Sequence, residues 1–217
     1  MSDSFLVAAR IPLSREGFEA WLRTPVEDLG VISNPGAMFD GWFWNGRDRE
    51  PDWDSAGVGT TPGRYFSERV DDSCGGNEEC GVVLHRDGAL EVYLFHLGYS
   101  AWSIHTALLV LAAAGRFQAE DAEGVVLFWA ETGATLLPAD SRGWLSVLSV
   151  GGDGARFVAS RDLTEVVAGL RPAESRFFEL VERLAGESEE FDWESGEEFR
   201  TETPREPAFT DPAVLAR

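Results

Sequence analysis

Apolar and polar positions partly alternate along residues 5–11, so this stretch reads as a first strand that Pro12 ends. Ser14 is placed to cap a helix carrying Phe18, Trp21 and Leu22 on one side and stopping before Pro25. Residues 26–63 are rich in Gly, Pro and Asp and read as ordered loop, with a short strand at 42–44. Residues 64–70 alternate enough to predict another strand.

The middle of the chain is the most patterned. Two β-rich runs, 81–85 and 90–97, flank Arg86-Asp87-Gly88-Ala89, and Asp-Gly is a strong hairpin turn signal. Ser100 then caps a helix to about residue 114, with Gly115 as the residue just past its end. Ile104, Leu108, Leu111 and Gly115 lie at helical spacing. Trp102, Leu109 and the alanines at 112–114 make much of the remaining surface apolar too. A helix apolar nearly all round is buried, so this one is expected at the centre of the domain, against the sheet.

Residues 124–131 read as a further strand, and 144–150 with 155–160 as a second hairpin across 151–154. Asp162 with Glu165 forms a capping box for a short helix ending at Gly169. Pro172 is suited to the first position of the next helix, whose apolar face is Phe177, Leu180, Val181 and Leu184 and which Gly186 stops. The order of elements predicts an α+β fold: a mostly antiparallel sheet with a buried central helix and further helices packed on it. Residues 1–186 form the expected single domain. Residues 187–217 form the expected tail, acidic at first and carrying Pro204, Pro207 and Pro212 later.

Composition sharpens this picture. The chain has 217 residues, 44% hydrophobic and 12% aromatic, which excludes disorder throughout and provides a core that needs neither disulfide nor metal. Acidic residues number 38 against 18 basic ones, a net charge of −20. Every basic residue is Arg; there is no Lys. Such a charge repels phosphate backbones and argues against nucleic-acid binding. Part of it also suits an organism with a GC-rich genome or a salt-adapted proteome, which leaves open an acidic, solvated housekeeping domain with no charged partner. The longest weakly polar run, residues 107–115, is too short to span a bilayer, and the first residues carry no basic, apolar leader. A cytoplasmic protein, away from membranes, is therefore expected. In that compartment Cys74 and Cys80 are read as free thiols.

Three constellations bear on chemistry. Cys74, Cys80, His85 and His96 have a spacing that matches no compact zinc pattern, and the carboxylates from Asp48 to Asp54 lack the turn glycine and final Glu of a calcium loop. No metal or other cofactor is expected. A hydrolase-type site would need one of His85, His96 or His105 beside Ser100, Ser103 or Cys80; this is the enzymatic alternative, with His105 read as half-buried packing. No dinucleotide, P-loop, HExxH or GxSxG motif supports an enzyme.

The third constellation mixes carboxylates with aromatics. Asp48, Glu50, Asp52, Trp53 and Asp54 form one such loop, and Glu189, Glu190, Asp192, Trp193 and Glu194 another. Residues 187–198 hold seven acids and no base. An exposed ring amid carboxylates suits a protein interface, the ring as desolvated anchor and the charges as steering. Trp42 and Trp44, by their alternation, are read instead as core. The expectation is an acidic binding protein whose partner is a basic protein. Its most concrete form is an immunity protein that neutralises a bacterial toxin domain such as a nuclease. Nucleic-acid-cleaving domains are basic because their substrate is anionic, so an acidic inhibitor meets them quickly.

Overall fold

The computed structural model describes residues 5–39, 53, 57–73, 81–94, 101–130, 145–158, 163–189 and 203–216. The strand at residues 42–44, the cap at Ser100 and the Asp162 half of the capping box lie outside them.

β1, Phe5–Pro12, runs through the middle of a six-stranded antiparallel sheet. The others are β2 (Gly81–Arg86), β3 (Ala89–Leu94), β4 (Glu123–Ala130), β5 (Leu145–Gly151) and β6 (Gly154–Val158), in the spatial order β2-β3-β1-β4-β5-β6. The alternation of β1 divides its side chains between two cores. Val7, Ala9 and Ile11 enter one cluster and Leu6 and Ala8 the other. The β2–β3 hairpin closes through Asp87 and Gly88, with φ of 51° and 71°, the left-handed pair that a two-residue turn of this kind requires.

On one face lie α1 (Arg15–Arg23), α2 (Pro62–Ser73) and α3 (Ala101–Ala112), with the short α5 (Pro212–Leu215) against α1 and α2. Ser14 caps α1, its hydroxyl accepting from Gly17 N at 3.0 Å, and Phe18, Trp21 and Leu22 are buried as the periodicity predicts. Trp21 ties α1 to α3 by donating its indole N–H to Val110 O at 3.0 Å. Every residue from Ile104 to Gly115 is buried, which places α3 in the centre as expected. Gly115 plays a different part from the one read in the sequence. It opens a 3-10 turn, Gly115–Phe117, and a Cβ there would stand 2.3 Å from Gly151 O, so the glycine permits close approach rather than a left-handed cap.

Residues 64–70 are not a strand; they lie within α2. Over so short a run, alternation and helical spacing overlap. Pro62 begins the helix, Tyr65 N donates to Thr61 O at 3.0 Å, and Tyr65, Phe66 and Val70 are buried at helical spacing.

The other face is covered by one helix, α4, Leu163–Glu189. The sequence predicts two helices here, separated between Gly169 and Pro172 and stopped at Gly186; instead the helix runs through all three positions. Pro172 removes one hydrogen bond and costs about 3 kcal/mol in a helix interior. Val166, Val167, Leu170, Phe177 and Leu180 bury themselves along a stripe that crosses the proline without a break. At roughly 1.5–3 kcal/mol for each such side chain, burial outweighs the proline.

Both sheet edges are covered. Ile32 bridges Ala155 of β6, Ser33 N donates to Ala155 O at 2.9 Å, and the Asn34 carboxamide stands in for a strand residue. Its Nδ2 donates to Phe157 O at 3.0 Å and its Oδ1 accepts from Phe157 N at 2.8 Å. At the opposite edge Val83 N donates to Phe209 O at 2.9 Å and Asp211 N to Val83 O at 2.8 Å. Residues 203–216, expected as part of an acidic tail, are thus a strap over β2. Phe209, Thr210 and Val214 are buried, and Asp211 both caps α5 and receives a bidentate pair from Arg15 at 2.6 and 3.0 Å. Acidity upstream hid the apolar anchors Phe209 and Val214. Covering an edge removes a template for unwanted strand pairing.

Candidate partner-binding surface

Of the residues expected at an interface, Asp48, Glu50, Asp52 and Asp54 lie outside the described residues, as do Glu190, Asp192, Trp193 and Glu194. Glu189 is the last residue of α4. Trp53 is described, and it is buried rather than exposed. It is 4% accessible, with its ring stacked on His105 at 4.0 Å and 14° and tilted against Phe157 at 6.4 Å. An apolar platform of α3 and β6 is thus available to the indole.

The histidines that are described serve packing. His105 is fully buried, not half-buried. His85 donates from Nε2 to Leu13 O at 2.8 Å and lies against Phe18 at 5.2 Å. His96, Cys74 and Cys80 lie outside the described residues. Among the described residues no group of three or more His, Cys, Asp or Glu is placed to hold a metal ion. Also among them, no helix is long and apolar enough to cross a membrane.

What the register brings together is a set of carboxylates that sequence reading did not assemble. Pro12 pairs with Ala89, Arg10 with Val125 and Glu123 with Gly151, so one end of the sheet holds the β2–β3 turn, the start of β4 and the β5–β6 turn. Asp87 and Asp153 sit in those two turns, and Glu120, Asp121 and Glu123 lead into β4. Glu16, in the first turn of α1, follows directly on β1. Glu165, in the first turn of α4, shares a cleft of about 430 Å³ with Arg10 and Glu123. All of these acids are exposed, and Glu123 also accepts from the Ser149 hydroxyl. Carboxylates at helix starts are favoured by the helix dipole, and Asp is a natural turn residue, so each has a local reason to be there. Their convergence depends on strand order, which no local pattern displays.

The nearby arginines are engaged with other acids. Arg86 and Arg10 reach the buried Glu91 at 2.6 and 3.8 Å, and Arg116 reaches Glu27 at 3.2 Å. Arg15 holds Asp211 and also Glu19 at 2.9 Å; hydrogen bonds, first to Asp211 and then to Glu19, raise its pKa above the ordinary guanidinium value. Arg156 on β6 is the remaining described cation beside this end. On the helices, Arg64 pairs with Glu68, Arg171 with Glu174 and Arg176 with Glu179, each one turn away. The opposite corner has a groove of about 650 Å³ between α1, α2 and α5, where Arg23 and Arg64 face their own partners Glu19 and Glu68.

One tryptophan reverses expectation. Trp102, read as part of the buried helix, is 54% exposed on the first turn of α3. No protein-family model matches the chain, and comparisons with characterised proteins and with solved structures return no match.

Proposed function

We propose that this chain is an acidic binding protein that captures a basic protein, most concretely an inhibitor of the immunity type that neutralises a basic toxin domain such as a nuclease. The observation that carries this reading is the disposition of charge. The chain holds −20; among the described residues most arginines pair with carboxylates of the same chain, and Asp87, Glu120, Asp121 and Asp153 stand exposed at one end of the sheet. An acidic face of this kind attracts a cationic surface over a Debye length of about 8 Å at physiological salt and speeds encounter. A rigid sheet end built from tight turns also presents its charges at little entropic cost on binding.

The test is recovery of the partner from the native host by affinity purification at physiological salt, followed by kinetics with the purified pair. The expected partner is a basic protein whose association rate falls steeply as salt rises while its dissociation rate changes little. A neutral or acidic partner, or an association rate indifferent to salt, overturns the reading. Charge reversal at Asp87, Glu120, Asp121 and Asp153 together is expected to slow association by about tenfold or more, given the range that steering spans.

A further inference from the structure

The strap of residues 203–216 reaches the β2 edge as a small body that closes many of its hydrogen bonds on itself. Glu206 N donates to Thr203 O at 3.1 Å, Phe209 N and Thr210 N both donate to Glu206 O at 2.9 Å, Val214 N to Asp211 O at 2.9 Å and Ala216 N to Pro212 O at 3.1 Å. The Thr210 hydroxyl donates to Pro204 O, and Pro204, Pro207 and Pro212 each fix a backbone φ. Its backbone tie to the sheet is narrow: Thr210 bridges Val83 in parallel register, and Val83 turns both its N–H and its carbonyl to the strap. Side chains supply the rest. Phe209 enters the cluster on the α4 side and Val214 the cluster on the α1 and α3 side, so one anchor lies on each face of the sheet. Two arginines outside the strap hold its carboxylates. Arg15 takes Asp211, and Arg183 of α4 takes Glu206 while lying over the Phe209 ring at 5.5 Å.

We infer that the β2 edge, with its two apolar seats and two arginines, is a peptide-binding groove that the chain fills with its own residues 203–216 and that accepts the same segment from a second copy. The inference stands apart from the capture of a basic partner, because this groove presents arginines and selects an aromatic residue with a carboxylate two positions on. Strand addition at a sheet edge draws affinity from main-chain bonds and specificity from side-chain pockets, and both are present here. A segment whose turns are already closed loses little entropy on docking. The chemistry of the occupant is read directly, because the structure shows it seated. The strap is joined to α4 through residues 190–202, which gives it an effective concentration of about millimolar, so it keeps the groove filled until it is weakened or displaced.

The full-length F209A/D211N chain keeps the groove and weakens its own strap, and Asn retains the cap of α5. A blocked, fluorescent peptide of residues 203–216 is titrated into this variant and into the wild type. The peptide is expected to bind the variant at least about tenfold more tightly than the wild type, whose own strap competes for the groove. Adding R15A to the variant, or F209A to the peptide, is expected to weaken binding by about fivefold or more, as loss of a charge-assisted pair or a buried aromatic anchor does. Native-state hydrogen exchange on the wild type reads the same separability without any substitution. The amides of Val83 and Asp211 are expected to exchange at least about tenfold faster than those of β1, which is paired on both sides. Four results overturn the inference: exchange of Val83 and Asp211 only together with β1, an F209A/D211N chain that no longer folds, a folded one that binds no peptide, or equal affinity in variant and wild type.

Discussion

The two faces of the sheet are covered by opposite strategies. The face of Leu6, Ala8, Tyr93, Leu127 and Trp129 is closed by one long helix, α4, with Phe209 of the strap at its side. The face of Val7, Ile11, Leu90 and Phe128 is closed by α1 and α3 together with the segment of residues 26–38, Trp53 and α5. The one-helix face is held by a continuous stripe; the other is stitched, by Trp21 to Val110 O, Asn34 to Phe157 and Arg15 to Asp211. A single stripe tolerates a local defect such as Pro172, since every other turn still packs. A stitched face concentrates its specificity in a few contacts and leaves turns and helix ends protruding, and both the acidic turns and Trp102 are found where such elements end.

The largest effects should fall on the cores, and they test whether the faces stand or fall together. Phe177→Ala on the α4 side is expected to cost about 3–5 kcal/mol and Leu108→Ala on the α3 side about 2–5 kcal/mol, both buried large-to-small changes. Trp53→Ala belongs with them, at about 3–5 kcal/mol, because its ring fills the space over His105. Denaturant unfolding with far-ultraviolet and tryptophan signals checks all three. A single coincident transition in each variant marks one cooperative unit. A Trp53→Ala loss below 1 kcal/mol would return that residue to the surface.

Pro172→Ala probes the defect in the long helix. The substitution restores an N–H that can donate to the carbonyl of Ala168 and removes the clash of the ring with it. A gain of about 1–3 kcal/mol in unfolding free energy is expected, since the helix already passes through this position and little need rearrange. A destabilised variant would show that the proline ring itself contributes to how the stripe of Val166, Val167, Leu170 and Phe177 packs on the sheet.

These contrasts also explain what was legible in the sequence. The α+β class, β1, α1 and its Ser14 cap, the Asp87-Gly88 hairpin, the β5–β6 hairpin and the burial of α3 follow from local patterns, because each depends on residues within a few positions of one another. The misreadings share one cause: tertiary burial overrode a local signal. Residues 64–70 became helical as Phe66 and Val70 entered the core, Gly169, Pro172 and Gly186 failed to break α4, and residues 203–216 were drawn in by Phe209 and Val214. The candidate surface was the least legible part. Asp87, Glu120 and Asp153 are far apart in sequence and meet only through the strand order, while Trp53 and Trp102 exchange their expected places because Trp53 packs over His105 of α3 and Trp102 stands exposed on that helix's first turn.

The smallest expected effect lies on that same helix. Trp102→Ala should change unfolding free energy by no more than about 0.5 kcal/mol, as surface substitutions away from caps and buried networks do. The ring is 54% exposed, whereas Leu108, two turns along the same helix, is fully buried. The backbone carbonyl that accepts from Thr106 is retained in the variant, so the first turn of α3 keeps that hydrogen bond. Alanine also has the higher helix propensity, which offsets part of any packing lost. Equilibrium urea unfolding with a circular dichroism readout measures the difference. A loss above about 1 kcal/mol would mean that the indole contributes to folding as Trp53 does. A change near zero separates the two tryptophans by role: Trp53 fills the space over His105, and Trp102 stands on the surface.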